Sequence, residues 1–442
     1  MTQQIIPDYE RLIGEIEEKS NIAKIFENRI SEIDVNDTLS MTRDIIDKYG
    51  PRLTGTKSTK QAAQNIHKKL SKHCDQSKIE KFEVHRESFL AFMKVFALSF
   101  VISSIFFFLG GIWTIIAVFG YTFATIFALL QFVLYKETFD PLFRKFTGYN
   151  VFGVIKPSEK VKQRIIIQGH HDSAYVMNFL VDPKLQKMYA PRIFTGLIIF
   201  IGTNLLLVIL ILLENFQVQT DGFRKVISFI ILVGAPAVIQ FFFFKSNKVS
   251  PGAGDNLIAS MISVKIAQIF GKSKINSKNL LKHTEIVVIS SDAEESGLRG
   301  ARAYVKRHID ELKAIPTYVF NIESLYSCND LSFLTADING FIKLSSEMAH
   351  DGMMIAESLG YKTKEAPITF GGGGTDAAEY AKQNIEATTI LGMENTAIRD
   401  GLVYHTLNDT VDSINPSVVK AVLEIVYRFI LYKEWKLGTS LL

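Results

Sequence analysis

RIIIQGHHDS, residues 164–173, is a short apolar run that breaks into a polar loop carrying His170 and Asp172. Four apolar or amide positions followed by a glycine and imidazoles read as a buried strand ending in a loop. Side chains alternate along a strand, so His170 and Asp172 point the same way. TEIVVISSDAEESG (284–297) repeats the pattern and ends in the acidic pair Glu294 and Glu295, followed by helical spacing in GLRGARAYVKRH. PTYVFNIES (316–324) is a third such run, ending at Glu323. Chemically active side chains at the carboxyl ends of several strands are what an open α/β sheet produces.

PGAGDN (251–256) adds Asp255, and YHTLNDT (404–410) adds His405. Neutral imidazole nitrogen and carboxylate oxygen are zinc ligands, and two divalent ions bring about four positive charges. One histidine per metal (His170, His405), one carboxylate per metal (Glu295, Glu323) and Asp255 as a bridge leave roughly one positive charge, which a bridging hydroxide cancels. Glu294 is then left over as a base for a metal-bound water. Asp172 can accept the second ring N–H of His170 and fix its tautomer. A lone histidine or acidic pair is more often structural; here all the motifs occur, each at a strand end or loop. His171, His283 and His350 belong to no such set and read as packing or surface residues. Cys74 and Cys328 are too few for a disulfide framework and too isolated for a zinc knuckle.

The order of these blocks, with GGGGTDAAEYA (371–381) and VYHTLNDTVDSIN (403–415), resembles the co-catalytic di-zinc aminopeptidase family, whose relatives include glutamate carboxypeptidases, glutaminyl cyclases and endoplasmic-reticulum metallopeptidases. The likeness runs from YGPRLTGTKSTKQAAQNIHKKL (49–70) to the C-terminus, interrupted by two hydrophobic insertions. It implies a mixed-sheet α/β zinc-peptidase domain of the phosphorylase/hydrolase-like kind. It also implies His170 and His405 as terminal ligands of two zinc ions, Asp255 as the bridge, Glu295 and Glu323 as carboxylate ligands, Glu294 as general base and Asp172 behind His170. Three departures stand out: Glu323 where Asp is commoner, Ala377 where many members carry His, and Ser260 where Gly is common. Asp376 and Tyr404 are candidates for substrate or supporting contacts. The expected reaction is hydrolysis of a peptide at its amino terminus. A glutaminyl cyclase-like acyltransferase and a catalytically silent receptor or scaffold of the same fold stay open as alternatives.

Residues 95–134 contain no charged side chain, long enough for two membrane spans around Gly110-Gly111. Residues 193–213 and 226–244 form a third and a fourth candidate, the last with Pro236 as a kink. The expected organisation is N-terminal helices and the start of the catalytic domain over 1–88, a first transmembrane hairpin over 89–135, catalytic sequence over 136–192, a second hairpin over 193–244, and the remaining catalytic domain over 245–442. Both insertions leave one domain and return to it, so that domain lies on one side of the bilayer. Arg86, Lys94, Lys136, Arg144, Lys145, Lys184, Lys187, Arg192, Lys245 and Lys248 flank that side against Arg224 and Lys225 on the other, which by the positive-inside tendency makes the domain cytoplasmic.

A net charge of +4 gives no reason to expect a nucleic-acid partner; the juxtamembrane cations suit anionic headgroups. Asp255 follows the fourth span by eleven residues, a tether of about 36–40 Å at most, so the centre lies near the bilayer and the expected substrates are membrane-associated or apolar peptides. Residues 7–34 read as one or two amphipathic helices. Nothing in the sequence fixes an oligomeric state.

Overall fold

Both faces of the three apolar strands are covered, which is why their hydrophobicity is continuous rather than alternating. The computed structural model describes residues 30–275, 280–393 and 402–439. In chain order they form α1 (Glu32–Tyr49), α2 (Lys57–Leu70), β1 (Gln76–Val84), α3 (Ala91–Leu109), α4 (Ile112–Ala128), β2 (Phe146–Ile155), β3 (Gln163–His170), β4 (Tyr175–Met177), α5 (Tyr189–Asn215), α6 (Asp221–Ile239), β5 (Lys245–Val249) and α7 (Ile258–Ile275). There follow β6 (Thr284–Ser291), α8 (Arg299–Lys313), β7 (Thr317–Leu325), β8 (Ser332–Asp337), β9 (Ile342–Lys343), α9 (Ser346–Ser358), β10 (Lys364–Pro367), β11 (Glu386–Gly392) and α10 (Pro416–Thr439). Most of the amphipathic stretch 7–34 lies outside the described residues; its end enters α1 through a capping box in which Ser31 and Asp34 satisfy each other's backbone N–H groups.

The main sheet runs β1-β2-β6-β3-β7-β11-β8-β10, with β9 paired to β8. Its centre, β6-β3-β7-β11, is parallel; β1-β2 and β2-β6 are antiparallel. Ile165 and Ile167, Ile286 and Val288, Phe320 and Ile322 face α7 and α10 in one core. Their neighbours Ile166, Val287, Ile289 and Val319 face α8 in another. This mixed α/β sheet is the expected fold class. A side chain on Gly169 would meet Ala259 and the backbone of Ser260 at 2.5–2.8 Å, so a glycine there lets α7 close on β3. Ser260 uses the same contact, sharing a 2.7 Å hydrogen bond with Ser290 of β6.

Two helical hairpins are inserted into this framework. α3 and α4 stand between the paired strands β1 and β2, and turn at Gly110 and Gly111, whose φ angles are +71° and +56°. α5 and α6 stand between β4 and β5, which close the base of the second hairpin as a small antiparallel ribbon that no sequence pattern announces. Four helical stretches, Ala91–Leu109, Ile112–Val133, Pro183–Asn215 and Asp221–Phe243, are long and apolar enough to cross a membrane. They pack on one another through Phe96, Phe200, Leu207 and Ile231, while Ile105, Phe108, Phe119, Leu205 and Phe229 point outward, exposed. A soluble surface would bury such side chains; an apolar one is what lipid requires.

A buried polar junction joins the first hairpin to the sheet domain. Arg299, at the start of α8, sends Nε to Asp140 Oδ2 at 2.9 Å and Nη2 to Oδ1 at 3.1 Å. Gln131 and Ser88 donate to the same carboxylate, so it is fully satisfied where it is desolvated.

Candidate metal centre

Asp172 lies just past the end of β3 and organises the acidic loop after β6. Its Oδ1 and Oδ2 accept the backbone N–H groups of Glu294 and Glu295, each at 3.2 Å, while Oδ1 also faces His170 Nδ1 at 3.2 Å. One buried carboxylate therefore sets the imidazole and both glutamates at once.

His170, Asp255, Glu323, Glu295 and His405 converge. Asp255 Oδ1 stands 3.3 Å from His170 Nε2, and Oδ2 stands 3.0 Å from His405 Nε2. Glu323 Oε1 is 3.6 Å from His170 Nε2, and Glu295 Oε1 is 3.2 Å from His405 Nε2. Three triads result: His170–Asp255–Glu323 and Asp255–Glu295–His405, which share Asp255, and His170–Glu294–Glu295. Ligand atoms bound about 2.0–2.1 Å from a tetrahedral zinc stand about 3.3 Å apart, the spacing found here. Buried and without hydrogen-bond partners are His170 Nε2, Asp255 Oδ2, Glu295 Oε1 and His405 Nε2. Buried polar atoms normally have partners, so a set of orphans aimed at common points fits cations. Glu294 Oε2 lies 3.7 Å from His170 Nε2, at the edge of the set.

Electrostatics agree with a site shaped for positive charge. Burial alone would lower His170, but Glu323 and Glu294 lift it well above the usual histidine range. Burial is likewise outweighed at His405, where Glu295 and Asp255 push the pKa up to about 10. Burial raises Glu295 and Glu323 to about 7 each, against the pull of His405 and His170 respectively. Glu294 is pushed well above the carboxylate range by burial and by its neighbours Glu323 and Glu295. Without cations, the cluster must hold protons instead.

Asp255 owes its position to residues outside the expected ligand set. Arg52, fully buried, donates to the carbonyls of His171, Pro251 and Gly252 at 2.7–2.9 Å, tying the loop after β3 to the Asp255 loop. Asp409 accepts from the backbone N–H groups of Gly254 and Asp255. Thr54 donates to Asp292 at 2.8 Å and to Asp172 at 3.2 Å. Their only sequence signal was membership of the blocks PRLTGT and YHTLNDT. His171 is a buried packing residue, its Nδ1 2.8 Å from Ser290 Oγ.

Asp376 sits beneath the centre, accepting from Gln168 and Ser291 at the ends of β3 and β6. Ala377 is buried behind it. Tyr404 stacks on His405, with ring centroids 3.8 Å apart and planes at 15°. Above the triads opens a cavity of about 190 Å³ whose walls include Glu294, Glu295, His405, Tyr404 and Gly371–Gly374, with Phe132, Tyr135, Leu180 and Tyr189 from the roots of the two hairpins.

Residues 241–430 match the profile of Peptidase family M28. No curated protein matches the sequence. Among solved structures, the zinc aminopeptidase BSAP from Bacillus subtilis superposes with a TM-score of 0.52 at 15% identity, over 90% of this chain and 94% of that one. A glutaminyl cyclase from Bacteroides thetaiotaomicron, bound to N-acetylhistamine, gives 0.53 at 13% identity over 90% and 97%. A Zn-dependent exopeptidase from Parabacteroides distasonis gives 0.54 at 12% identity over 90% and 97%. Sheet order and sequence blocks agree with that match: over residues 241–430 this chain is similar to Peptidase family M28.

Proposed function

We propose that this chain is a membrane-embedded di-zinc metallopeptidase that removes amino-terminal residues from peptides held at the membrane surface. The observation that carries the reading is the shared carboxylate: each oxygen of Asp255 faces a different histidine, and each histidine has its own glutamate. His170, Glu323 and Asp255 would hold one ion, and His405, Glu295 and Asp255 the other. When bound, the pair supplies Lewis-acid activation of water and of the scissile carbonyl. Glu294 takes the water's proton and passes it to the leaving amine nitrogen, while Asp172 keeps His170 and the backbone of Glu294 and Glu295 in place.

Amino-terminal cleavage is favoured by the cavity walls. Glu294 and Glu295 line it, and among the described residues no lysine or arginine does. That suits a substrate ammonium and disfavours a terminal carboxylate. The apolar hairpin roots around the same cavity support apolar or membrane-associated peptides as substrates. The basic residues beside the four apolar helices support a cytoplasmic domain.

Metal analysis combined with a peptide-library digest tests the reading. Two zinc ions per chain and release of single amino-terminal residues are expected. A single ion together with cyclisation of amino-terminal glutamine would favour an acyltransferase, and full metal loading with no cleavage would favour a silent scaffold. Comparing one peptide free and lipid-anchored tests the membrane preference; equal rates would remove it.

A further inference from the structure

Tyr135 closes the first hairpin. It follows the apolar helix Ile112–Val133 by two residues and adopts φ +52°. The left-handed region is unfavourable for a non-glycine residue and persists only where the surroundings impose it. Here they do so from several sides. The carbonyl of Tyr135 accepts from Arg302 Nη2 at 2.6 Å and from Arg299 Nη1 at 3.2 Å. The ring packs on Phe89 with centroids 4.7 Å apart and on Phe132 at 6.5 Å.

Only the hydroxyl is unaccounted for. Tyr135 is 4% exposed, yet among the described residues no hydrogen-bond partner reaches its hydroxyl. A phenylalanine would make the same ring contacts, so what the tyrosine adds is a polar atom with no protein partner. The hydroxyl lies on the cavity side: it is 3.6 Å from where a side chain on Gly373 would begin, and both residues line the cavity that contains Glu294, Glu295 and His405.

We propose that the Tyr135 hydroxyl donates a hydrogen bond to an oxygen of the substrate bound against Glu294, so that the root of the first hairpin supplies a catalytic residue. This rests on the metallopeptidase reading. It adds a contact supplied by an insertion into the sheet domain, outside residues 241–430, and accounts for an aromatic residue held in a costly backbone conformation.

The test is Tyr135→Phe in the full-length, zinc-loaded protein, with two readouts. Peptide hydrolysis is expected to fall at least tenfold in kcat/KM. Affinity for an amino-acid hydroxamate, measured by calorimetry without turnover, is expected to weaken at least fivefold. Zinc content and thermal midpoint should stay at wild-type values. Hydrolysis and hydroxamate affinity both within twofold of wild type would overturn the proposal while leaving the peptidase reading intact. A loss of zinc or of thermal midpoint in step with activity would assign Tyr135 to packing and overturn it too. A wild type that cleaves nothing but binds the hydroxamate better than the variant would keep the contact and remove the peptidase reading. Failure of the wild type to bind at all would remove both.

Discussion

Asp409 holds the backbone of Asp255, accepting the N–H of Asp255 at 3.2 Å through one oxygen and that of Gly254 at 2.8 Å through the other. The bridging residue of the proposed centre is thus fixed by a carboxylate 154 positions later in the chain. Partners of metal ligands are typically worth about 10–100-fold in metal affinity. Asp409→Ala should weaken zinc binding by that order, measured by competition with a chromophoric chelator, with the sheet domain still folded. Unchanged affinity would separate Asp409 from the site.

Glu294 belongs to neither of the two triads that share Asp255. Glu294→Gln keeps the shape and loses the base, so it should retain its zinc and lose about 10²–10⁴-fold in kcat, the usual contribution of a general base. Zinc content by elemental analysis and turnover on the best library peptide check this together. A variant with near-normal turnover would refute the assigned base.

Metal loading should release protons. In the metal-free cluster His405 has its pKa pushed up to about 10 and His170 is also raised, so both carry protons at pH 7 that zinc must displace. Zinc affinity should therefore rise with pH between 6 and 8. Calorimetry in two buffers of different ionisation enthalpy would count the protons; identical heats in both would sink the prediction.

Stability of the metal-free form has a definite sign. The raised histidines stabilise it fully below their unfolded value of about 6.5, and this is lost as pH rises through the folded value of about 10 at His405. Glu295 and Glu323, raised to about 7, act in the same direction, since the folded state binds their protons more tightly than the unfolded chain. The thermal midpoint gained on adding zinc should thus grow from pH 6 to pH 9, measured in one detergent. A gap that narrows over that range would contradict the reading.

Arg299 and Asp140 form a desolvated pair, their side chains 2% and 7% exposed. Arg299→Met strands the carboxylate, and breaking one side of such a pair costs about 3–5 kcal/mol. It also frees the carbonyl of Gly297 and leaves that of Tyr135 to Arg302 alone, so limited proteolysis should find new cleavage near residues 134–140 along with a lower thermal midpoint. Wild-type proteolysis and midpoint would mean that the hairpin is held elsewhere.

Sequence alone was enough for the strands, because a continuous apolar run ending in titratable residues is what a buried strand delivering side chains to a sheet edge requires. It was enough for the four apolar helices as well, since length and lack of charge are local properties. The types and order of His170, Asp255, Glu294, Glu295, Glu323 and His405 were also local, and their resemblance to a family needed no coordinates. What the chain does around them was not legible. Arg52, Thr54 and Asp409 act through backbone carbonyls, buried carboxylates and backbone amides up to 238 residues away, and a hydrogen bond across such a distance leaves no periodicity. The ribbon of β4 and β5 left no mark because three residues and five are too short for a pattern. Tyr135 looked like the end of a membrane span until folding set its ring against Phe89 and placed it in the wall of the cavity that Glu294 and Glu295 line. The sequence determined which groups are available and which segments seek apolar surroundings, because composition and period are written along the chain. Only the tertiary structure decided that both oxygens of Asp255 are shared between two histidines, because convergence depends on how strands and helices from distant parts of the chain pack together.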